Sequence, residues 1–389
     1  MSRNRARGGL WLLALLLVLA VVAAPALGAP RLGGVYKVPV KIKADCSVAV
    51  DAQITSWLAT VPDGGKVQFG RGRCYGQSET ITLSGRTGLV IDGQGSEFRA
   101  LTPGGSHRAN WRFVGGGNLT VQNLAVRGSN PAGGYDPALE WQHGFSVEGV
   151  QGMTLQSVQA REVWGDGMML WRSVDSPACG DDASSARNVV ISGATIERIG
   201  RQGLAVVDAE NVTLQDSNVG QVAWSNVDIE SDDDCEIARH ITIARNSFGA
   251  NSYGVVANVG FGADPQVGDV MVVDNTQTVP TSDCFAPVRI LSPVFADGRP
   301  PVYRSGFTFR GNRLLGTRNG LELRGVKNAE VSSNTIALAP TTGCGARAGV
   351  LLVDSHTVSI LSNAFGAANS VFRTDTLSTG IASEGNTTG

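Results

Sequence analysis

NVVISGATIERIGRQGLAVVDA, residues 188–209, is followed at residues 211–232 by NVTLQDSNVGQVAWSNVDIESD. Each stretch opens on Asn and a short alternating apolar run, and each closes on a second such run. Ile191 and Leu204 lie 13 residues apart, as do Leu214 and Val227, and Leu155 and Met168 just before them. A register shared in this way is a repeat, and a period of roughly 22–24 residues belongs to the solenoid class. Period-2 alternation makes strands of the runs. Two or three short strands per unit, joined by Gly, Asn, Asp and Ser turns, form one coil of a parallel β-helix. No coil buries its apolar side alone, so coils stack around one long core. An antiparallel sandwich also has short strands between turns, but nothing in it maintains such a constant step.

Outward from this stretch, further units start near Gly152, Asn188, Asn211, His240, Asp269, Gly306, Asn328 and Thr357, and earlier ones contain KVQF, TITL and GLVIDG. Wide gaps, as between Gly152 and Asn188 or Asp269 and Gly306, mark side loops, where solenoids carry binding function. An Asn follows three residues after an apolar strand position at Asn246, Asn275, Asn312, Asn334 and Asn363. Stacked at about 4.8 Å, such amides hydrogen-bond up the coils as a structural ladder. Asn118, Asn211 and Asn386 match a glycosylation sequon, a match given no weight. SVAVDAQITSWLAT, residues 47–60, reads as a helix with Ser47 as N-cap and Val48, Ile54, Trp57 and Leu58 on one face. A helix there suits covering the open end of the core. The expected layout is a leader at 1–26, an N-terminal segment at 27–84, the β-helix at 85–375 and a tail at 376–389.

Arg3, Arg5 and Arg7, the apolar run 10–24 and Ala24-Pro25-Ala26 form a secretory leader. The run is short for a membrane span. The expectation is a secreted, extracellular chain with no membrane contact after cleavage; an uncleaved anchor is the alternative. Six cysteines without close CxxC spacing then read as disulfides. Spatial neighbours in a solenoid are sequence neighbours, which favours Cys46–Cys74, Cys179–Cys235 and Cys284–Cys344. A net charge of −2 gives no support to nucleic-acid binding.

The residue before each final strand of a unit forms a vertical row: His143, Asp166, Gln202, Ser225, Tyr253 and Asn319. Alternate residues in those strands point outward: Ser146 and Glu148, Met169 and Trp171, Ala205, Asp228 and Glu230, and Val256. The same few coils hold Arg201 and also Trp141, Trp164, Trp171 and Trp224, four of the seven tryptophans. Trp stacks on sugar rings while polar neighbours hold hydroxyls. His143, Asp166, Arg201 and Asp228 are the candidate catalytic residues. Trp141, Glu148, Trp164, Trp171, Gln202, Trp224 and Tyr253 are the candidate substrate contacts. Asp166 and Asp228, two coils apart or about 10 Å, suit an inverting acid–base pair. In an elimination, Glu230 and Asp232 hold Ca²⁺ and His143, Arg201 or Tyr253 serves the proton. Otherwise no cofactor is expected. Arg289, Arg318, Glu322, Arg324 and Arg347 continue the face as a binding surface for an acidic polymer.

The body from Gly85 to Asp375 resembles the right-handed parallel β-helix superfamily of pectate lyases and polygalacturonases, through units such as NVTLQDSNVGQVAWSNVDI. The resemblance implies an all-β right-handed parallel β-helix, which the N-terminal helix described above would cap. In polygalacturonase-like members the acids lie in motifs of the type NTDG, GDDC and GHG. Here those places read WGDG at 164–167, GRQG at 200–203 and WSNV at 224–227. Asp166 matches the first Asp, Arg201-Gln202 replaces the paired Asp, and Ser225-Asn226 replaces the His motif. There is no DPHD run of the mannuronan-epimerase type, and Lys327 is the one lysine of the coil body, which disfavours a Lys-base lyase. Two functions follow. One is a secreted enzyme cleaving or modifying a uronate-rich polysaccharide, as monomer or trimer. The other is a non-catalytic polysaccharide-binding or cell-surface β-helix.

Overall fold

A computed structural model describes residues 33–173, 184–258, 266–292, 302–339, 344–345 and 347–389. In the coil that opens the decisive stretch, the chain forms Ala186–Ser192, Thr195–Ile199 and Leu204–Val206. The next coil repeats them as Ala209–Gln215, Asn218–Val222 and Ser225–Ile229. Each strand pairs in parallel with its counterpart: Val189 with Val212, Ile196 with Val219, Leu204 with Val227. Three walls result. Leu155, Ile191 and Leu214 align on the first wall, and Met168, Leu204 and Val227 on the third. All six are fully buried, so the constant step in the sequence is the arc of chain between two inward rows. The third wall is one all-parallel sheet of 11 strands, from Ile81–Ser84 to Ser370–Thr374.

Gly152, Asn188, Asn211, His240, Asp269, Gly306, Asn328 and Thr357 all take positive φ. Each falls between two registered pairs of the first wall, as Asn188 does between Arg187 and Val189. The unit starts are therefore a recurring left-handed bulge, which explains the Gly, Asn and Asp there. A second left-handed residue ends the first wall ahead of each ladder Asn, for example Asp274 before Asn275 and Gly311 before Asn312. The backbone N–H and the Nδ2 of Asn275 both donate to Oδ1 of Asn312, at 3.0 Å each, and Asn312 repeats this onto Asn334 at 2.9 Å. Asn386 adds a rung beyond Asn363. At the other end the Ser217 N–H donates to Asn246.

The N-terminal helix is shorter than expected. It spans Asp51–Leu58, with Val50 at its N-cap and no side-chain cap. Ser47 instead belongs to the strand Asp45–Ala49, which pairs beside Cys74–Gln77, and its N–H donates to Asp45. Val48 is exposed, while Ile54 and Leu58 enter the core and Trp57 packs edge-on against Phe69. First strands lie in the N-terminal segment, as expected there, and pairing also continues beyond residue 375. Val35–Lys37 pairs with Lys66–Gln68, and Thr379–Glu384, placed in a tail by the sequence, pairs with His356–Leu361. Disulfides join Cys46 to Cys74 and Cys284 to Cys344, with Cα separations of 5.1 and 5.2 Å. The pairing Cys179–Cys235 lies outside the described residues because of Cys179.

Candidate functional site

The third wall places His143, Asp166, Gln202 and Ser225 in one row, each two residues before the aligned Phe145, Met168, Leu204 and Val227. The row then departs from expectation. Ser225 faces Gly254, so Tyr253 lies one residue out of line. The outward row likewise runs Arg112, Ser146, Met169, Ala205, Asp228, Ala257, Arg289 and Glu322. Val256 points into the core, and Ala257 takes the outward place assigned to it. Gly254, Val255, Val256 and Ala257 are all buried, so this strand has no alternation from which to read its phase. The correction brings Tyr253 against Trp224, with ring centroids 6.1 Å apart.

The glycines of the WGDG and GRQG stretches belong to the corner between second and third walls. A Cβ on Gly167 would stand 2.5 Å from Ile196 Cγ2, and one on Gly203 would stand 2.4 Å from Val219 Cγ1. Only glycine fits, and the corner sets the neighbouring polar side chains against one another.

Asp166 is fully buried. Its Oδ1 accepts the Gln202 N–H at 3.1 Å. Its Oδ2 lies 3.3 Å from Arg201 Nη1 and 3.2 Å from His143 Nδ1. Burial pushes this carboxyl up, but the Arg201 charge, the His143 ring and the Gln202 amide outweigh it and hold it below the ordinary aspartate value. Asp166 is thus an ionised anchor with no exposed surface. Arg201 also reaches Glu230 at 3.2 Å and lies over the Trp224 ring, 5.4 Å from its centroid. Burial works against its charge, but Asp166 and Glu230 prevail and raise its pKa. It is therefore a held cation and unsuited to proton abstraction.

Asp228 and Glu230 behave in the opposite way. They are outward neighbours on one strand, flanking the inward Ile229. Asp228 is 7% exposed. Its Oδ2 accepts Gln202 Nε2 at 2.6 Å, and its Oδ1 has no hydrogen-bond partner among the described residues. Burial, then the charge of Glu230, lifts the Asp228 carboxyl well above the ordinary value. Burial, opposed by Arg201 and reinforced by Asp232, lifts Glu230 to about 7. Each carboxyl therefore resists ionising beside the other, as neighbouring buried acids do.

A cleft of about 300 Å³ opens beside this cluster, lined by Trp141, Trp171, His143, Glu148 and Arg112. Glu148 is a ligand of Arg112, at 2.8 and 2.6 Å, and accepts Ser146 Oγ at 2.7 Å. Arg112 was not among the sequence candidates, although the inward Trp111 and Phe113 flank it and mark it as outward. Trp141 and Trp171 lie 6.1 Å apart, and Trp171 Nε1 donates to Glu236 at 3.0 Å. A second aromatic file runs Tyr135, Trp224, Tyr253 and Phe285, with successive centroids 4.8, 6.1 and 4.8 Å apart. Arg289 covers Phe285 at 4.1 Å and Tyr253 at 5.0 Å. Its Nε and Nη1 are buried without a hydrogen-bond partner among the described residues, and Glu322 stands 3.5 Å away. Trp164 is not part of either aromatic file. Its Nε1 donates to Ser129 Oγ at 3.0 Å and ties down the 129–137 loop.

The acid run 231–236 is organised by Glu236, whose Oε2 accepts the N–H groups of Asp232 and Asp233 at 2.7 and 3.1 Å. Burial raises the Asp232 carboxyl. Among the described residues no three His, Cys, Asp or Glu side chains converge as a metal-binding group. Ca²⁺ takes six to eight oxygens, roughly, and Glu230 is turned to Arg201, so the donors present do not fit that ion and no step is derived through it.

No protein-family profile matches the sequence, and no characterised protein sequence does. Solved structures match the fold. A surface adhesin of Streptococcus pneumoniae superposes with a TM-score of 0.59 at 12% identity over 85% of this chain and 90% of its own. The A-module of a mannuronan C-5 epimerase from Azotobacter vinelandii gives 0.59 at 14% over 90% and 98%. An endo-xylogalacturonan hydrolase from Aspergillus tubingensis gives 0.55 at 14% over 91% and 92%. The chain is a right-handed parallel β-helix.

Proposed function

We propose that this protein is a secreted carbohydrate-active β-helix that cleaves or modifies a uronate-rich polysaccharide laid along the third wall, with Asp228 as its proton-transfer group. One observation carries the reading: a buried carboxyl with a raised pKa and a free Oδ1, on an outward row bracketed by aromatic files. A carboxyl whose pKa is raised by burial can deliver a proton to a glycosidic oxygen or return one to a sugar carbon. Arg201, fixed by Asp166 and Glu230, offsets developing negative charge. Trp141 and Trp171 on one side and Trp224 and Tyr253 on the other give stacking faces. Arg289, whose Nε faces Glu322 at 3.5 Å and whose buried Nη1 has no hydrogen-bond partner among the described residues, suits a substrate carboxylate. The fold's occurrence in an alginate-modifying epimerase and a xylogalacturonan hydrolase supports this class without choosing the reaction. The two disulfides agree with an oxidising compartment.

The test is a screen of purified protein against pectins, alginates and glycosaminoglycans, following reducing ends, unsaturated products and uronate configuration. The Asp228→Asn variant is run beside it, with an expected rate loss of about 10²–10⁴-fold. A folded Asp228→Asn protein at full activity would remove Asp228 from the mechanism. The second reading, binding without turnover, draws on Asp166: the residue matching the hydrolase motif is enclosed and already ionised. Binding to one polymer with none of the three product signals would select it.

A further inference from the structure

The first coil carries a feature that the sugar site does not use. KVPVKIK, residues 37–43, carries Lys37, Lys41 and Lys43, and Arg71 and Arg73 belong to the same end of the chain; all five are exposed, and Lys37, Lys43 and Arg73 line one concavity. Among the described residues none of them enters an ion pair, whereas Lys66 in the same coil is matched to Asp92 at 3.3 Å. Asp45 is the one acid between residues 33 and 50. Four of the five lysines of the chain lie in this end of the stack. The Val40 side chain projects fully into solvent from between Pro39 and Lys41, and Val35 and Val48 are exposed nearby at 54% and 43%. Lys37, Lys43 and Arg73 rim an open concavity of about 770 Å³ above Phe69 and Tyr75. A purely solvated basic end has no reason to present a bare valine at its tip.

We infer that this end of the solenoid docks on an anionic phospholipid surface, with the five cations against headgroup phosphates and Val40 entering the interface. Cationic side chains beside an anionic leaflet each contribute about 1 kcal/mol, and a buried valine adds roughly 1.5 kcal/mol. An anionic polysaccharide supplies the same charge but no apolar layer for Val40, so the exposed valines favour lipid. Docking through the first coil leaves the third-wall groove free along the later coils. The inference does not depend on what that groove binds.

The test uses protein expressed with its leader and taken from the exported fraction, in flotation with phosphatidylglycerol and phosphatidylcholine vesicles. Binding to phosphatidylglycerol is expected, falling as salt rises. The triple variant Lys37→Gln, Lys41→Gln, Lys43→Gln should lower partitioning by about a hundredfold. Val40→Ser should lower it about tenfold and leave the salt dependence unchanged. Equal binding to both lipids, or wild-type partitioning by the triple variant, overturns the inference. So does binding of soluble polygalacturonate through the same lysines with no vesicle binding. Circular dichroism melts of each variant confirm that the fold is retained.

Discussion

The raised carboxyl of Glu230 makes stability fall with pH, and the size of the fall follows from the site. Unfolded, this group titrates near 4.5; folded, burial lifts it to about 7. Below the lower value both states are protonated and nothing is lost. Above the upper value both are ionised, and the folded state bears a buried charge that Arg201 only partly offsets. The contribution is therefore complete at acid pH and disappears as pH rises through about 7. The difference between 4.5 and about 7, at about 1.4 kcal/mol per unit, corresponds to roughly 3 kcal/mol. Glu230→Gln removes the titration while keeping an oxygen toward Arg201, which stays matched by Asp166 at 3.3 Å. Urea unfolding of both proteins between pH 5 and 8.5 should show the wild type losing about 3 kcal/mol more than the variant. Subtracting the variant cancels every other group that titrates in the window, apart from Asp228. A variant whose stability declines as steeply as the wild type would refute the assignment, and so would a wild type that gains stability over this range relative to it.

Three further outcomes follow from the same coordinates. Asn312→Ala should destabilise the fold by roughly 3–5 kcal/mol in thermal or urea unfolding, because it takes the acceptor from the Asn275 N–H and from one of the two Asn275 Nδ2 protons, and the Nδ2 donor from the Val272 carbonyl. Asn386→Ala, on the partly exposed last rung, should cost about 1 kcal/mol; equal costs at both positions would contradict a ladder. Trp224→Ala should weaken oligosaccharide binding about tenfold or more by calorimetry, since it breaks the file between Tyr135 and Tyr253 and uncovers Arg201. Arg289→Ala should weaken binding of uronate oligomers and leave neutral ones unaffected, and an equal loss on both would remove its anion-binding role.

The coil register was legible because each wall buries every second side chain, so Ile191, Leu214 and their counterparts had to be apolar at a constant step. The Asn ladder was legible for a related reason: one polar residue recurring beside apolar strands has few uses other than bonding its own copies. Disulfide neighbours followed from stacking. What escaped was set by covering rather than by winding. Val255, Val256 and Ala257 are all buried, so no pattern fixed their phase, and Tyr253 was assigned to the wrong row. Ser47 resembled a cap, but it lies within the irregular stretch of the strand Asp45–Ala49, whose ends pair with Cys74 and Gly76. The residues of these rows were expected to face outward, yet Asp166, Asp228 and Glu148 are buried, Asp166 and Glu148 against arginines and Asp228 against Gln202. Sequence spacing shows which residues share a wall. It does not show which of them a side loop closes over.

That distinction decides how the site departs from the hydrolase pattern it resembles. An acid at the position of Asp166 with a second acid at 201 or 202 would put two carboxyls in contact, and one would have to be protonated. Here Arg201 occupies that place, so Asp166 is ionised and its charge is spent on holding the guanidinium. In the proposed reading the proton-transfer group lies instead at Asp228, where Gln202 holds one oxygen and the other has no hydrogen-bond partner among the described residues. On either side of Asp228 the outward row carries Ala205 and Ala257, the two smallest side chains between Met169 and Arg289. Both alanines are fully buried, so Asp228 lies in a covered stretch of this row, about 10 Å from Arg289 by strand spacing.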